Sequence, residues 1–210
     1  MAERRKRKTS RRPAATKSGG IDRDAVVQSA MALFAGRGWF EVSLVDIAAE
    51  SGVSLADLHP VFPSKTAILR GFATQIDRQV LATAAEVEAS IRERLFEVFM
   101  RRFDALQPQR KALERLAHDL PRDPAAAVAV MCRAGRSLRA MAELAGVATE
   151  GPLGMLRVKA LMALQAWLMR TWLADDSKDM ARTMKGLDQG LERLEMIARA
   201  MPSMGQRAAG

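Results

Sequence analysis

Tyrosine is absent, and cysteine occurs once, at Cys132. One thiol can neither close an internal disulfide nor supply a cluster of metal thiolates, so a small buried residue is its expected role. Aromatic residues make up 5% of the chain, too few for a stacking platform on single-stranded nucleic acid. Long apolar runs are also missing: charges recur within every window of about 20 residues, the length a bilayer requires. The basic N-terminus has no apolar segment behind it, so it does not read as a secretory signal. The expectation is a cytoplasmic protein without stable membrane insertion.

Catalytic patterns are equally scarce. There is no nucleophile–base–orienter set, no phosphate-cradling glycine loop and no spaced His/Cys/Asp group. His118, in ERLAHDL, has no partner at a useful spacing. No enzymatic activity, metal or cofactor is expected. Asp175, Asp176 and Asp179 could bind a cation, but helix capping is the simpler use, with Asp176 as the cap and Asp179 at the positive dipole end. Gly and Pro thin out after Gly20, while Ala, Leu, Met and Arg fill long stretches that favour helix. No strand pattern or internal repeat is visible. The fold class is all-α.

What the chain does have is unevenly placed positive charge. Its net charge is +9, and residues 1–20 hold eight Lys or Arg against one Glu. Arg4, Arg5, Lys6, Arg7 and Lys8 form the densest part. Such an arm is too charged to fold alone and can reach phosphates beside a docked domain, though it could also sit on anionic lipid or aid solubility.

Helical spacing then organises the rest. Ile21, Ala25, Val26, Ala30, Leu33 and Phe34 predict a helix over 22–36, broken by GRGW, with Trp39 and Phe40 available to cap a small core. Ser43 and Asp46 are placed for a capping box on a helix through Glu50 whose inner stripe is Leu44, Ile47 and Ala48. In SGVS, Gly52 can take positive φ, Val53 can plug the interhelical angle and Ser54 can cap a short helix before Pro60. Leu55 and Leu58 offer apolar contacts there, although Leu55 could face outward. Ser64 can cap a fourth helix anchored by Ala67, Ile68, Phe72, Ile76 and Val80. Longer helices are predicted over 91–106, 109–120, 124–145, 152–173 and 177–201, punctuated by Pro and Gly.

A helix-turn-helix can lay its second helix in the major groove while the first spans the backbone. At this point AMALFAGRGWFEVSLVDIAAESGVSLADLHPVFPSKTAIL, residues 30–69, resembles the N-terminal domain of the TetR family of bacterial regulators. The resemblance implies a three-helix reading unit joined to a C-terminal helical bundle, acting on double-stranded DNA as a homodimer. It places Ser43 at a phosphate and Ser54, Leu55, Ala56 and Asp57 on the recognition surface. His59 falls where the family usually has a tyrosine, and Lys65 on its usual lysine. Leu55-Ala56-Asp57 offers no Arg, Gln or Asn for bidentate base reading. Either residue has a plainer use: His59 could pack on Phe62, and Lys65 could be a solvated charge.

Residues 157–199 resemble a second group, the lipid-binding accessory proteins of ubiquinone biosynthesis, which share the TetR fold. The resemblance rests on a tryptophan-containing helix end, an acidic D-x-S break and TMKGLD at 183–188. It implies a lipid or quinone ligand and a vestigial helix-turn-helix. Thirteen methionines fit either ordinary helix packing or an adaptable apolar pocket. Met131, Met162, Trp167 and Met169 are the candidate lining for an apolar small molecule or lipid. Trp167 and Trp172 are five apart and so lie on different faces, one for the core and one for a ligand or partner. The resulting layout is an arm over 1–20, a reading domain with its connecting helix over 21–88, and a ligand and dimerisation domain over 89–210.

Overall fold

The computed structural model describes residues 20–83, 88–177 and 179–200. Among these, nine α-helices run α1 (Arg23–Arg37), α2 (Leu44–Glu50), α3 (Leu55–Val61), α4 (Lys65–Leu81), α5 (Ile91–Leu106), α6 (Arg110–Asp119), α7 (Pro124–Leu144), α8 (Gly151–Leu173) and α9 (Ala181–Ala200). The fold is all-α, with an N-terminal helix-turn-helix unit, α1–α3, joined through α4 to the bundle of α5–α9. Arg4, Arg5, Lys6, Arg7 and Lys8 lie outside the described residues.

The local signals explain most starts. Ser43, Ser54, Ser64 and Ser90 each accept a backbone N–H in the first turn of the helix that follows. Ser43 and Ser90 complete full capping boxes with Asp46 and Glu93. The expected α4 anchors are all buried. By contrast, Ala25 is exposed, and Val27 and Met31 are buried in its place. Helix α1 packs against both α4 and α6, so its apolar stripe is turned and widened relative to that of a helix covered on one side. Phe40 is exposed, leaving Trp39 alone to close the small core. Cys132 is also exposed, not buried.

The acidic break before α9 corrects the expected cap. Asp175, not Asp176, is the buried carboxylate, and Asp176 stands in solvent. Asp175 accepts from the Ser177 N–H and hydroxyl and from the Thr183 N–H (2.8 Å) and hydroxyl (2.9 Å). The helix therefore starts at Ala181, four residues later than spacing alone predicts. Burial by itself would raise the Asp175 pKa, but these donors outweigh it and hold the carboxyl far below the usual range. Because the folded pKa is depressed, this stabilisation is present above the unfolded value near 4 and is lost as pH falls through the folded one. Asp175→Asn should cost about 1.5–3 kcal/mol in urea unfolding at pH 7, since a buried charge-assisted acceptor is lost. An effect below about 0.5 kcal/mol would mean that the D-x-S…T segment does not hold α9.

Candidate nucleic-acid interface

Helices α2 and α3 meet through a turn in which Gly52 takes φ +68°, a conformation that favours glycine. Ile47, Ala48 and Leu58 face inward, each buried, and Val53 packs against them. Ser43, Ser54, Leu55, Ala56, Asp57 and His59 are all exposed to solvent. The two serines are already engaged: Ser43 with Asp46, and Ser54 with Asp57 through 2.6 and 3.1 Å hydrogen bonds. The Asp46 carboxyl is held below its ordinary pKa first by the Ser43 hydroxyl and N–H, then by Arg37 at 3.3 Å. Pro60 lies inside α3 rather than ending it, and Val61 completes the helix.

Lys65 sits differently. Its ammonium donates to the Trp39 carbonyl at 2.5 Å and lies 4.3 Å from the indole centroid. It is half-buried, and burial lowers its pKa against the opposing pull of Asp123. Trp39 in turn is clasped by the bundle. Its backbone N–H donates to Asp119 (2.9 Å) and its indole N–H to Asp123 (3.0 Å). Gly38, at φ +84°, permits this approach, because a Cβ there would stand 2.6 Å from the Asp119 carboxylate. A second bridge runs from Gln109 of the α5–α6 corner to Gln28 of α1 at 2.6 Å. The reading unit is therefore tied to the bundle at its α1–α2 corner as well as through α4.

Sequence reasoning missed Asp119 and Asp123. Asp119 lies at the end of the helix expected over 109–120 and Asp123 in the Pro-rich break after it, and partners 80 and 84 residues away leave no periodic signal. It also missed a charge pattern that is legible in the chain. From Gly38 to Ser64 there is no Lys or Arg, while Glu41, Asp46, Glu50 and Asp57 are acidic. Helices that could enter a groove thus carry no cation of their own.

The residues proposed for an apolar pocket point apart. Met131 and Trp167 are about half-exposed, Met162 packs on Gly135 of α7, and Trp167 covers Gly186 of α9. Met169 packs at the margin of the core. Two surface clefts, of about 580 Å³ between α5 and α9 and about 440 Å³ between α1 and α4, are lined by other residues. Trp172, fully buried, donates its indole N–H to Gln107 and belongs to the core.

A helix-turn-helix unit fixed on a helical bundle defines the class as a two-part, all-α architecture. The sequence pattern of bacterial regulatory proteins of the tetR family matches residues 26–71. The TetR-like fold extends beyond that segment, into the helical bundle. The chain is similar to a TetR transcriptional regulator from Nitrosomonas europaea ATCC 19718 at 25% identity and TM-score 0.68, over 83% of this chain and 98% of that one. It also resembles one from Rhodococcus sp. RHA1, at 20% identity and TM-score 0.58, over 81% and 93%. No curated protein matches the chain.

Proposed function

We propose that this chain is a DNA-binding transcriptional regulator, a ligand-responsive repressor acting as a homodimer on double-stranded DNA. The observation that carries the reading is the solvent-facing surface of Ser43, Ser54, Leu55, Ala56, Asp57 and His59, in a unit that matches the tetR-family pattern. The division follows the chain: an arm over 1–20, a reading domain with its connecting helix over 21–88, and a ligand and dimerisation domain over 89–210. The arm, with Arg4, Arg5, Lys6, Arg7 and Lys8, supplies the cations that α2 and α3 lack and grips phosphates or the minor groove. Leu153, Met155, Leu156, Trp167, Met196 and Ile197 are exposed apolar residues on α8 and α9 that favour pairing of two copies through those helices. A two-fold pair would place its reading units on a symmetric site. No described helix is long and apolar enough to cross a membrane.

The test is selection of genomic DNA fragments by the full chain at near-physiological salt, against competitor DNA. A regulator should retain a fragment about 10³-fold over competitor, the lower end of specific discrimination. Lys65→Ala should then weaken binding and reduce the salt slope by about one if its ammonium reaches a phosphate. An unchanged slope with lower affinity would assign Lys65 to the Trp39 clasp instead. Weak, salt-sensitive binding shared by all fragments would overturn the reading. It would favour a second one, a lipid- or quinone-binding accessory protein with a vestigial helix-turn-helix. The observation favouring that reading is the lack of a bidentate base reader in Leu55-Ala56-Asp57.

A further inference from the structure

Away from the reading unit, α4, α5 and α7 enclose a set of charges that does not balance. Asp77 of α4 accepts from Arg102 of α5 at 3.1 Å and from Arg133 of α7 at 2.5 Å. The side chains of Asp77, Arg102 and Arg133 are only 13%, 10% and 16% exposed. Ser137, buried on α7, also donates to Asp77, at 2.8 Å. Among the described residues, Asp77 is the carboxylate paired with either guanidinium, so two positive charges share one negative charge.

Arg133 is well supplied with acceptors: Asp77, Ser137 at 2.7 Å and Thr74 at 3.3 Å. Arg102 is not. One nitrogen shares Asp77 with Arg133 and meets only the Met141 thioether beyond it, at 3.8 Å. Its Nε–H is buried with no acceptor. Buried donors nearly always have partners, and an uncompensated buried cation is among the most costly features of a core. An arginine pair with a spare positive charge and a spare donor is a receptor for one more anionic oxygen.

We propose that Arg102 and Arg133 form the head-group site for an organic carboxylate, which binds them in exchange for Asp77. This inference rests on the regulator reading for its consequence: it names the chemical class of effector. A monocarboxylate satisfies Arg102 without needing Asp77, and its hydrocarbon tail suits surroundings that include Met141. Asp77 is twelve residues from Lys65, about 18 Å along α4 at helical rise. Releasing it frees the bundle end of the helix whose other end abuts the reading unit. The effector selects the released state because only there are both guanidiniums open to it. Operator DNA and effector should therefore weaken each other by the same factor.

The test uses full-length protein and hexanoate as probe, with hexanol as the uncharged match, at constant ionic strength. Calorimetric titration should show hexanoate, not hexanol, binding Asp77→Asn roughly tenfold or more tightly than wild type, because the competing charge is gone. Arg102→Met should abolish that binding. Where Asp77→Asn does not fold, Ser137→Ala weakens the same competitor while keeping every charge, and should also tighten hexanoate. No binding to either variant, equal binding of hexanol, or persistence in Arg102→Met would overturn the site. Hexanoate binding without loss of DNA affinity would overturn the exchange as a switch. Failure of wild type to select any DNA fragment would overturn the regulator reading while leaving the anion site to its own titration.

Discussion

Deleting residues 1–19 should lower affinity for the selected DNA about 10³-fold at 0.15 M salt. The segment holds eight Lys or Arg, whereas residues 38–64, which include α2 and α3, hold none. Each phosphate neutralised contributes close to 0.9 to the slope of log affinity against log salt, so about four contacts account for roughly three orders of magnitude at this salt. The truncated protein should keep its far-ultraviolet spectrum and thermal midpoint, because the caps and core of α1–α9 lie wholly after it. The salt slope should drop by about four in the same titration. A truncated protein with unchanged slope would show that cations elsewhere face the duplex. Glu41, Asp46, Glu50 and Asp57 would repel a phosphate backbone brought up to Ser43 and Ser54, so the arm is expected to supply most of the attraction.

Trp39→Ala should be the most damaging single substitution in the reading unit. The side chain is 3% exposed, packs against Phe34 at 5.5 Å between ring centroids and lies under the Lys65 ammonium. Truncating a buried tryptophan costs about 3–5 kcal/mol, which for a chain of this size lowers the thermal midpoint by roughly 10 °C. Its indole N–H also bridges to Asp123, a carboxylate that caps α7 through the Ala126 N–H at 3.0 Å. The substitution therefore loosens the reading unit from the bundle as well as hollowing the small core. Trp39→Phe separates the two effects by keeping an aromatic ring and removing the indole donor. It should recover most of the midpoint yet leave hydrogen exchange faster at the α1–α2 corner. A Trp39→Ala midpoint within about 2 °C of wild type would show that the clasp carries little of the stability.

The same tryptophan marks how far local signals reach. GRGW is legible as a helix stop, since Gly38 ends α1 and donates its N–H to the Phe34 carbonyl. Nothing in the four letters says that Asp119 and Asp123 will meet them. The serine caps were legible because a cap is a contact across three residues, and Ser43, Ser54 and Ser64 stand where the spacing put them. The cap was misplaced at Asp176 because Thr183, the partner of Asp175, lies eight residues on, beyond any capping spacing. The apolar pocket residues were read from composition, which carries no direction. Met162 and Trp167 are five apart on α8 and turn to different neighbours, α7 and α9.

By itself, then, the sequence determined the all-α class, the helix-turn-helix with its inward Ile47, Ala48 and Leu58, and the concentration of charge in the arm. Each of these is a periodicity, a cap or a sum, and needs no knowledge of distant neighbours. Tertiary structure alone decided that α1 is covered on two sides, that Lys65 is held by Trp39, and that Asp77 is shared by Arg102 and Arg133. Those outcomes depend on side chains brought together from 25 to 84 residues apart. At such separations the partner is chosen by helix packing, and local spacing is silent.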